Sequence, residues 1–202
     1  PITLTGPDNA TICDGGQVEL SVSASGGSGT YDYQWQYDDG GSWTNVGANS
    51  ASYTTPVLSS ATTYDYQVIV SDQVTLPVDN CPDVSSGATV TVVDDPFWSV
   101  NSVSPTEICE GGQVTLNAQI SEGLGGTITW IRSTTPGGAG ITVTSPDVVN
   151  TAGTYYYRPH FEPLGIGCNV DDGAETTVTV VEDPEITLQP VGETICANST
   201  WQ

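Results

Sequence analysis

The five cysteines are the residues whose spacing most directly suggests chemistry. Cys13 and Cys109 lie in near-identical motifs, TICDGGQV and EICEGGQV, and Cys81 and Cys168 follow them in the last third of each repeat. Cysteines that recur at the period of a domain are typical of disulfides formed in an oxidising, extracellular compartment. Zinc ligation is not expected, because the cysteines are not clustered and no C-x-x-C pair is present. We predict the pairs Cys13–Cys81 and Cys109–Cys168, and for Cys196 a partner outside this segment.

Acidic side chains are the second group that could bind or react. The chain has 24 Asp and Glu and only two Arg, which gives a net charge of −22. In a head-to-tail array of domains, Asp14, the linker pair Asp94 and Asp95, and the pair Asp171 and Asp172 would gather at the junction. Converging carboxylates repel one another unless a hard cation such as Ca²⁺ bridges them. We expect no cofactor, and Ca²⁺ at this junction is the one candidate ion, although the spacing is not that of an EF-hand. For most of the carboxylates we favour the interpretation that the acidity only keeps a secreted polymer soluble.

Trp43 and Tyr53 are the aromatic residues that we expect to be exposed and able to stack on the rings of surface glycans. Tyr33, Trp35, Tyr66 and Trp130 fall on apolar strand faces and are expected in the core. For Trp43 the alternative is packing across its own hairpin. Nucleic acid is a poor partner for so negative a surface, and anionic membranes are equally poor partners. No apolar run is long enough to insert into a bilayer.

We expect no enzymatic activity and no catalytic residue. His160 is the only histidine, and the chain has no G-x-S-x-G motif that would mark a nucleophile elbow. Paired carboxylates could in principle hydrolyse glycosides, but two small sandwiches offer little cleft for a substrate.

The elements that position these residues are β-strands, because apolar and polar residues alternate along most of the chain. In QVELSVSA (17–24) the residues Val, Leu, Val and Ala share one face, and in YDYQWQYD (31–38) Tyr and Trp do so. This period with one apolar face predicts half-buried strands of antiparallel sheets. About seven such strands per repeat, with Trp35 and Trp130 in the third, predict an all-β fold of tandem Ig-like β-sandwich domains arranged head to tail.

The Ig-like topology predicts a second way to pair the cysteines. The turn before the second strand and the turn before the last strand lie at opposite ends of such a domain. Cys13 would then meet Cys168 across the junction and join neighbouring domains. The sequence leaves this pairing open beside the pairing within domains.

The chain repeats itself at the length of a whole domain. An opening motif occurs as ATICDGGQVEL, TEICEGGQVTL and ETICANSTWQ, and the closing motifs ATVTVVDDP and TTVTVVEDP come before its second and third copies. We predict one domain over 1–95, a second over 96–183, and the first strands of a third, truncated repeat over 184–202. Pro96 and Pro184 stiffen the joints because proline fixes φ, which favours an extended rod.

These motifs resemble the tandem Ig-like or PKD-like repeats of large cell-surface proteins of Bacteroidota. The residues that carry the resemblance are TIC-[DE]-GG-QVxL, YQWQ followed by GGSWTNVG and YTTP, a Tyr-rich strand, and TVTVV-[DE]-DP. SprB-type gliding-motility adhesins, exported by the type IX secretion system, are among the proteins with such repeats. In the second repeat ITWIRSTTPGGAGITV replaces the GGSWTNVG hairpin, so the two repeats do not share the residues of that hairpin.

The resemblance implies a structural or adhesive repeat segment of a long bacterial adhesin or filament, located outside the cell at its surface. The segment would act as an extended, disulfide-braced stalk, and its partners would be further repeats of the same chain or filament. Two other functions are compatible with the sequence. One is a carbohydrate-binding accessory module of a secreted enzyme, and the other is a filament subunit that donates a strand to its neighbour.

Overall fold

The computed structural model of the protein describes residues 1–38, 40–73 and 83–188. Strands, turns and bends account for the regular structure in these ranges, and no helix occurs in them. Accordingly, none of these residues belongs to a helix long and apolar enough to cross a membrane. The strands separate into an N-terminal and a C-terminal sandwich.

The first sandwich has one layer of five strands and an opposite layer of shorter pairs. Its strands are β1 (Ile2–Thr5), β2 (Ala10–Cys13), β3 (Glu19–Ser21), β4 (Ser23–Gly26), β5 (Tyr31–Asp38), β6 (Trp43–Val46), β7 (Ser52–Thr54), β8 (Thr63–Asp72) and β9 (Val84–Val93). The five-stranded sheet has the order β2-β9-β8-β5-β6, and the other layer contains the pairs β1-β4 and β3-β7.

The second sandwich repeats this topology. Its strands are β10 (Phe97–Ser104), β11 (Glu107–Cys109), β12 (Gly112–Ser121), β13 (Gly126–Ser133), β14 (Ile141–Val143), β15 (Asp147–Val149), β16 (Gly153–Pro163) and β17 (Thr176–Val181). The two sheets have the orders β11-β17-β16-β13-β14 and β10-β12-β15. The predicted all-β fold of tandem Ig-like sandwiches, arranged head to tail, is confirmed.

Two short parallel pairs place the opening motifs at the ends of the domains. β2 runs parallel to β9 with Cys13 beside Val93, and β11 runs parallel to β17 with Cys109 beside Val181. The other strand pairs in the described ranges are antiparallel. Because β9 and β17 lead directly into the segment that leaves each domain, both cysteines lie beside an exit of the chain.

Each core surrounds a tryptophan, as the alternation of residues predicts. Trp35 on β5 is fully buried, and Trp130 on β13 is 7% exposed. Tyr64 and Tyr155, at the starts of β8 and β16, donate their hydroxyls to backbone carbonyls five and four residues upstream, at 2.6 and 2.9 Å. This tyrosine corner is typical of Ig-like sandwiches.

The residue that follows each tyrosine corner by two places is also a tyrosine. Antibody domains carry there the second cysteine of their buried disulfide, whereas Tyr66 and Tyr157 fill the position here and are almost fully buried. Neither core has an internal disulfide among the described residues. Apolar and aromatic packing therefore holds each sandwich together, and Cys13, Cys109 and Cys168 are not members of either core cluster.

The two repeats differ in the residue that faces this second tyrosine on the neighbouring strand. Across the sheet, Tyr66 faces Tyr37 in the first domain, whereas Tyr157 faces Arg132 in the second. Arg132 Nη1 lies 2.8 Å from Asp147 Oδ2, and the Tyr157 hydroxyl donates to the same oxygen at 2.7 Å. Burial raises the pKa of Tyr157, and the Asp147 carboxylate raises it further. The aromatic pair Tyr37–Tyr66 of the first domain thus corresponds, in the second domain, to the ion pair Arg132–Asp147, to which the Tyr157 hydroxyl is hydrogen-bonded.

Replacing Asp147 by Ala is expected to lower the free energy of unfolding of the second domain by about 3 kcal/mol, because Arg132 would keep a largely buried charge without its partner. The matched control is the double variant R132Y/D147T, which installs the equivalents of Tyr37 and of the buried Thr55 in the first domain. We expect it to recover most of the loss. Urea denaturation of the full chain measures both effects, and a D147A variant as stable as the wild type would contradict this account.

Candidate functional site

The feature that most distinguishes this molecule from two separate sandwiches is a disulfide between them. Cys13 ends β2 of the first domain, and Cys168 lies in the loop between β16 and β17 of the second. Their sulfurs are bonded, their Cα atoms are 4.7 Å apart, and 155 residues of sequence separate them. Both residues are buried. The bond therefore joins the exit end of one domain to the entry end of the next.

The predicted pairs Cys13–Cys81 and Cys109–Cys168 are wrong, and the alternative pairing across the junction is the one found. The reason lies in the parallel pairing of β2 with β9. Cys13 lies beside Val93, nine residues and about 30 Å along the strand from Val84. Cys81 precedes Val84 by three residues, which span at most about 11 Å. A disulfide needs Cα atoms within about 7 Å, so Cys81 cannot reach Cys13.

The three remaining cysteines are not part of this bond. Cys109 is a free, exposed thiol at the end of β11. Cys81 and Cys196 lie outside the described residues, and so does the greater part of the predicted third repeat over 184–202. The predicted external partner of Cys196 stays a prediction.

Close backbone contact surrounds the disulfide. The Cys13 N–H donates to the Ile166 carbonyl at 2.9 Å, which continues the hydrogen bonding of β2 into the second domain. A Cβ atom on Gly167 would lie 2.4 Å from Gly16 Cα, and Gly167 has a φ of +80°. Both the contact and the backbone conformation therefore require glycine at this position.

The linker adds polar contacts to the same junction. Asp95 Oδ1 accepts a hydrogen bond from the Asn169 N–H at 3.0 Å, and the Asn169 side chain donates to the Gly167 carbonyl at 2.8 Å. Pro96 packs so closely against Gly123 that a Cβ there would lie 2.8 Å from its Cδ. The linker thus contacts both the Cys168 loop and a second loop of the second domain.

Sequence reasoning missed the glycines of this junction. Gly165 and Gly167 flank Ile166 immediately before Cys168, and a Cβ on Gly165 would lie 2.6 Å from Cys168 Sγ. The run GIGC was visible in the sequence. Its role depends on contacts with residues about 150 positions away, which no local pattern encodes.

The carboxylates predicted to bind Ca²⁺ are not gathered into one group. Asp14 Oδ1 accepts from the Ser60 N–H at 3.1 Å, and Asp95 is bonded to the second domain. Asp172 Oδ2 accepts from Arg158 Nε at 2.8 Å. Nowhere in residues 1–38, 40–73 and 83–188 do three or more Asp, Glu, His or Cys side chains form a group that could hold a metal ion. The geometry therefore gives no support to a calcium site built from Asp14, Asp94, Asp95, Asp171 and Asp172.

Asp172 is held by two basic side chains. Besides Arg158, His160 Nδ1 lies 2.6 Å from Asp172 Oδ1. Burial opposes ionisation of this carboxyl, but the hydrogen bonds from His160 and Arg158 outweigh it and lower the pKa of Asp172 below its usual 3.8. The sole histidine thus has a structural contact on the face of β16.

Trp43 and Tyr53, the predicted sugar-stacking residues, have different environments. Trp43 is 45% exposed at the start of β6, beside a shallow depression that Asp38 and Asp65 also line. Tyr53 packs against the core and stacks on Trp35 with ring centroids 6.0 Å apart. The expectation that Tyr53 is well exposed is therefore wrong. The two rings line separate depressions and do not form one surface.

Comparisons with known proteins agree with this architecture. A family model described as "Domain of unknown function (DUF8696)" matches residues 3–94, which lie within the first sandwich. A search of curated proteins found no match. An I-band fragment of titin is similar in structure, with 11% identity, a TM-score of 0.54, and coverage of 90% of this chain and 66% of that chain. This likeness shows the fold, a tandem of Ig-like sandwiches.

Two further solved structures are similar at lower TM-scores. Extracellular domains 3–5 of Drosophila OTK match with 17% identity and a TM-score of 0.47, over 91% of this chain and 62% of that chain. Fibronectin(III)-like modules of CbhA from Clostridium thermocellum match with 9% identity and a TM-score of 0.42, over 96% of this chain and all of that chain. The chain spans less than two thirds of the OTK and titin structures.

Replacing Gly167 by Ala is expected to slow formation of the Cys13–Cys168 bond, because the new Cβ would displace the loop from Gly16. The matched control is Gly137→Ala, since Gly137 also has a positive φ of +64° but no atom within 4 Å of an added Cβ. Both variants carry backbone strain, and only G167A loses the contact. The rate at which the reduced full chain loses its free Cys13 thiol during reoxidation measures the effect. Equal rates for the two variants would show that the close contact is unimportant.

Asp172→Asn is expected to lower the melting temperature at about pH 7 and to have progressively less effect in acid. A carboxyl whose pKa is lowered by folding contributes stability above its unfolded pKa, and this contribution is lost as the pH falls through the folded pKa. The difference between wild type and variant should therefore shrink below the usual value of 3.8. Asp171→Asn, which removes the same charge one residue away, is the control. A pH-independent difference for D172N would contradict the ion-pair explanation.

Proposed function

We propose that this chain is a structural or adhesive repeat segment of a long extracellular stalk, whose domains span distance and resist extension. The observation that carries the proposal is the disulfide between Cys13 and Cys168. Disulfides persist in oxidising compartments outside the cytosol, which supports an extracellular location.

The position of the disulfide suits a chain under tension. A pull on the two ends reaches Cys13 from one side and Cys168 from the other, and the sulfur–sulfur bond connects these points covalently. The two core tryptophans, Trp35 and Trp130, lie in the loop between them. Most core residues of the two domains are therefore outside the shortest covalent path, whereas Ile12, Val178 and Val180 lie on it.

The junction also suits a rod. Two consecutive sandwiches are joined by the short Asp94–Pro96 linker, and the disulfide, the Cys13–Ile166 backbone bond and the Asp95–Asn169 bond restrict rotation between them. A flexible linker would leave the distance between the ends of the chain undefined. A junction with several bonds keeps that distance nearly constant.

The finer assignment comes from the motif resemblance described above. We propose a large surface protein of Bacteroidota, of the kind that includes gliding-motility adhesins exported by the type IX secretion system. Its partners would be further repeats of the same chain or filament, and its distal end would contact the substratum or surface glycans. No catalytic role is proposed for this segment.

Pulling the full chain by its two ends in optical tweezers tests the mechanical part of the proposal. In the oxidised chain the loop of 155 residues should stay hidden, whereas reduction should release about 560 Å of additional contour length at ~3.6 Å per residue. The variant C13S/C168S should behave like the reduced chain under oxidising conditions. Cys109→Ser is the control and should behave like the oxidised wild type. A full-length extension of the oxidised chain would refute the proposal.

A further inference from the structure

The exit end of the second domain reproduces the surface on which the first domain holds the Cys168 loop. We call this surface the docking face, and in the first domain it consists of Cys13, Gly16 and Asp95. The corresponding residues of the second domain are Cys109, Gly112 and Asp183, which occupy the same places in the opening and closing motifs.

Backbone geometry confirms that the two faces correspond. The N–H after each cysteine donates to the end of the last strand, from Asp14 to the Val93 carbonyl at 2.9 Å and from Glu110 to the Val181 carbonyl at 3.0 Å. The N–H of the next residue donates to a carbonyl of the opposite layer at 2.8 Å in both domains, from Gly15 to Leu58 and from Gly111 to Val149. Asp183 follows Val181 by two residues and precedes a proline, as Asp95 follows Val93 and precedes Pro96.

The two faces differ in what covers them. Cys13 is fully buried and Gly16 is buried, because the loop from Gly165 to Cys168 lies on them. Cys109 is exposed and Gly112 is only half-buried. The equivalent cysteine in the same structure is bonded, so the second face has the geometry for a bond that it does not make within the described residues.

The occupant is identified by the repeat itself. Each domain carries one cysteine at the end of its second strand and one between its last two strands, which is the position of Cys168 and, in the sequence, of Cys81. A third copy of the opening motif, ETICANSTWQ, begins soon after Asp183. A domain of the same kind that follows the second one would present its own cysteine loop to Cys109.

We propose that Cys109 forms a disulfide with the cysteine loop of a following repeat domain, so that the array is linked by one such bond at each junction. The inference rests on the proposed function, because it takes the next domain to be another repeat of the stalk. In the reaction, Cys109 and the partner thiol each lose a hydrogen and form one sulfur–sulfur bond. The two electrons and two protons pass to a disulfide oxidant such as oxidised glutathione, which becomes two thiols.

A three-domain chain tests this inference directly. A second copy of residues 96–183 is inserted after Asp183 of the full chain, so that its Cys168 faces the original Cys109. The inserted copy carries Cys109→Ser, to remove the duplicate thiol, and Val148→Ile, an exposed position that changes the mass of the Cys168 peptide. The purified chain is reoxidised with glutathione, digested with a protease that cuts before Asp, and analysed without reduction.

The expected result is a cross-linked pair made of peptide 95–146 with Cys109 and the heavier peptide 147–170 from the inserted copy, with loss of the alkylated Cys109 product. Gly167→Val in the inserted copy should abolish this pair, whereas Gly137→Val there should not. Cys109 that stays open to alkylation, or that pairs with Cys81 or Cys196, would overturn the inference. Small-angle X-ray scattering separates failure of the proposed disulfide from failure of the proposed stalk function. A rod-shaped chain whose Cys109 remains free refutes only the disulfide. A compact chain refutes the stalk.

Discussion

The parallel pairing of β2 with β9 is the constraint on which the rest of the structure depends. It holds the opening motif against the last strand of the domain and so places Cys13 beside the linker that leaves the domain. From there the thiol can meet a loop of the next sandwich, whereas the start of β9 at Val84 lies about 30 Å away. The same pairing of β11 with β17 gives the second domain an equivalent end. A short run of parallel strand thus determines that the disulfide acts between domains.

Among the residues that the structure describes, neither core contains a disulfide, because the one bond lies between the domains. Tyr66 and Tyr157 occupy the place of the usual Ig disulfide, and each is packed against a tryptophan-centred core. Ion pairs contribute little to the first domain, which has no Lys, Arg or His. The two arginines both lie in the second domain, where Arg132 bonds Asp147 and Arg158 bonds Asp172. Most of the 24 acidic side chains therefore have no basic side chain to neutralise them, and the net charge is −22. This charge favours solubility and discourages association between chains.

The sequence predicts the fold well because the fold depends on local patterns. Alternation in 17–24 and 31–38 identifies strands and their inward faces, and Trp35 and Trp130 are buried as the pattern requires. The disulfide is harder to predict because it depends on which end of the sandwich each cysteine occupies. Ig-like topology indicated the correct pair, but the period of the cysteines favoured the wrong one. The exposure of Tyr53 was also misjudged, because it depends on a contact between layers. Tyr53 lies on the short strand β7, and its ring stacks on Trp35 of the core.

The junction shows the limit of sequence reasoning most clearly. Grouping of Asp14, Asp95 and Asp172 at the junction between the domains was a reasonable expectation from topology. Their actual partners are a backbone N–H, a residue of the next domain and two basic side chains. Such contacts depend on atomic positions within a few ångströms. Hydrophobic periodicity indicates the strands and their inward faces, but it does not determine which polar atoms meet at a loop.

Disulfide mapping of the intact, oxidised chain tests the central claim most directly. A protease that cuts before Asp separates all five cysteines, since it releases the peptides 8–13, 79–82, 95–146, 147–170 and 183–202. Without reduction, mass spectrometry should find peptide 8–13 linked to peptide 147–170, which is the Cys13–Cys168 bond between domains. Peptide 8–13 linked to peptide 79–82 would place the disulfide within the first domain and contradict the account.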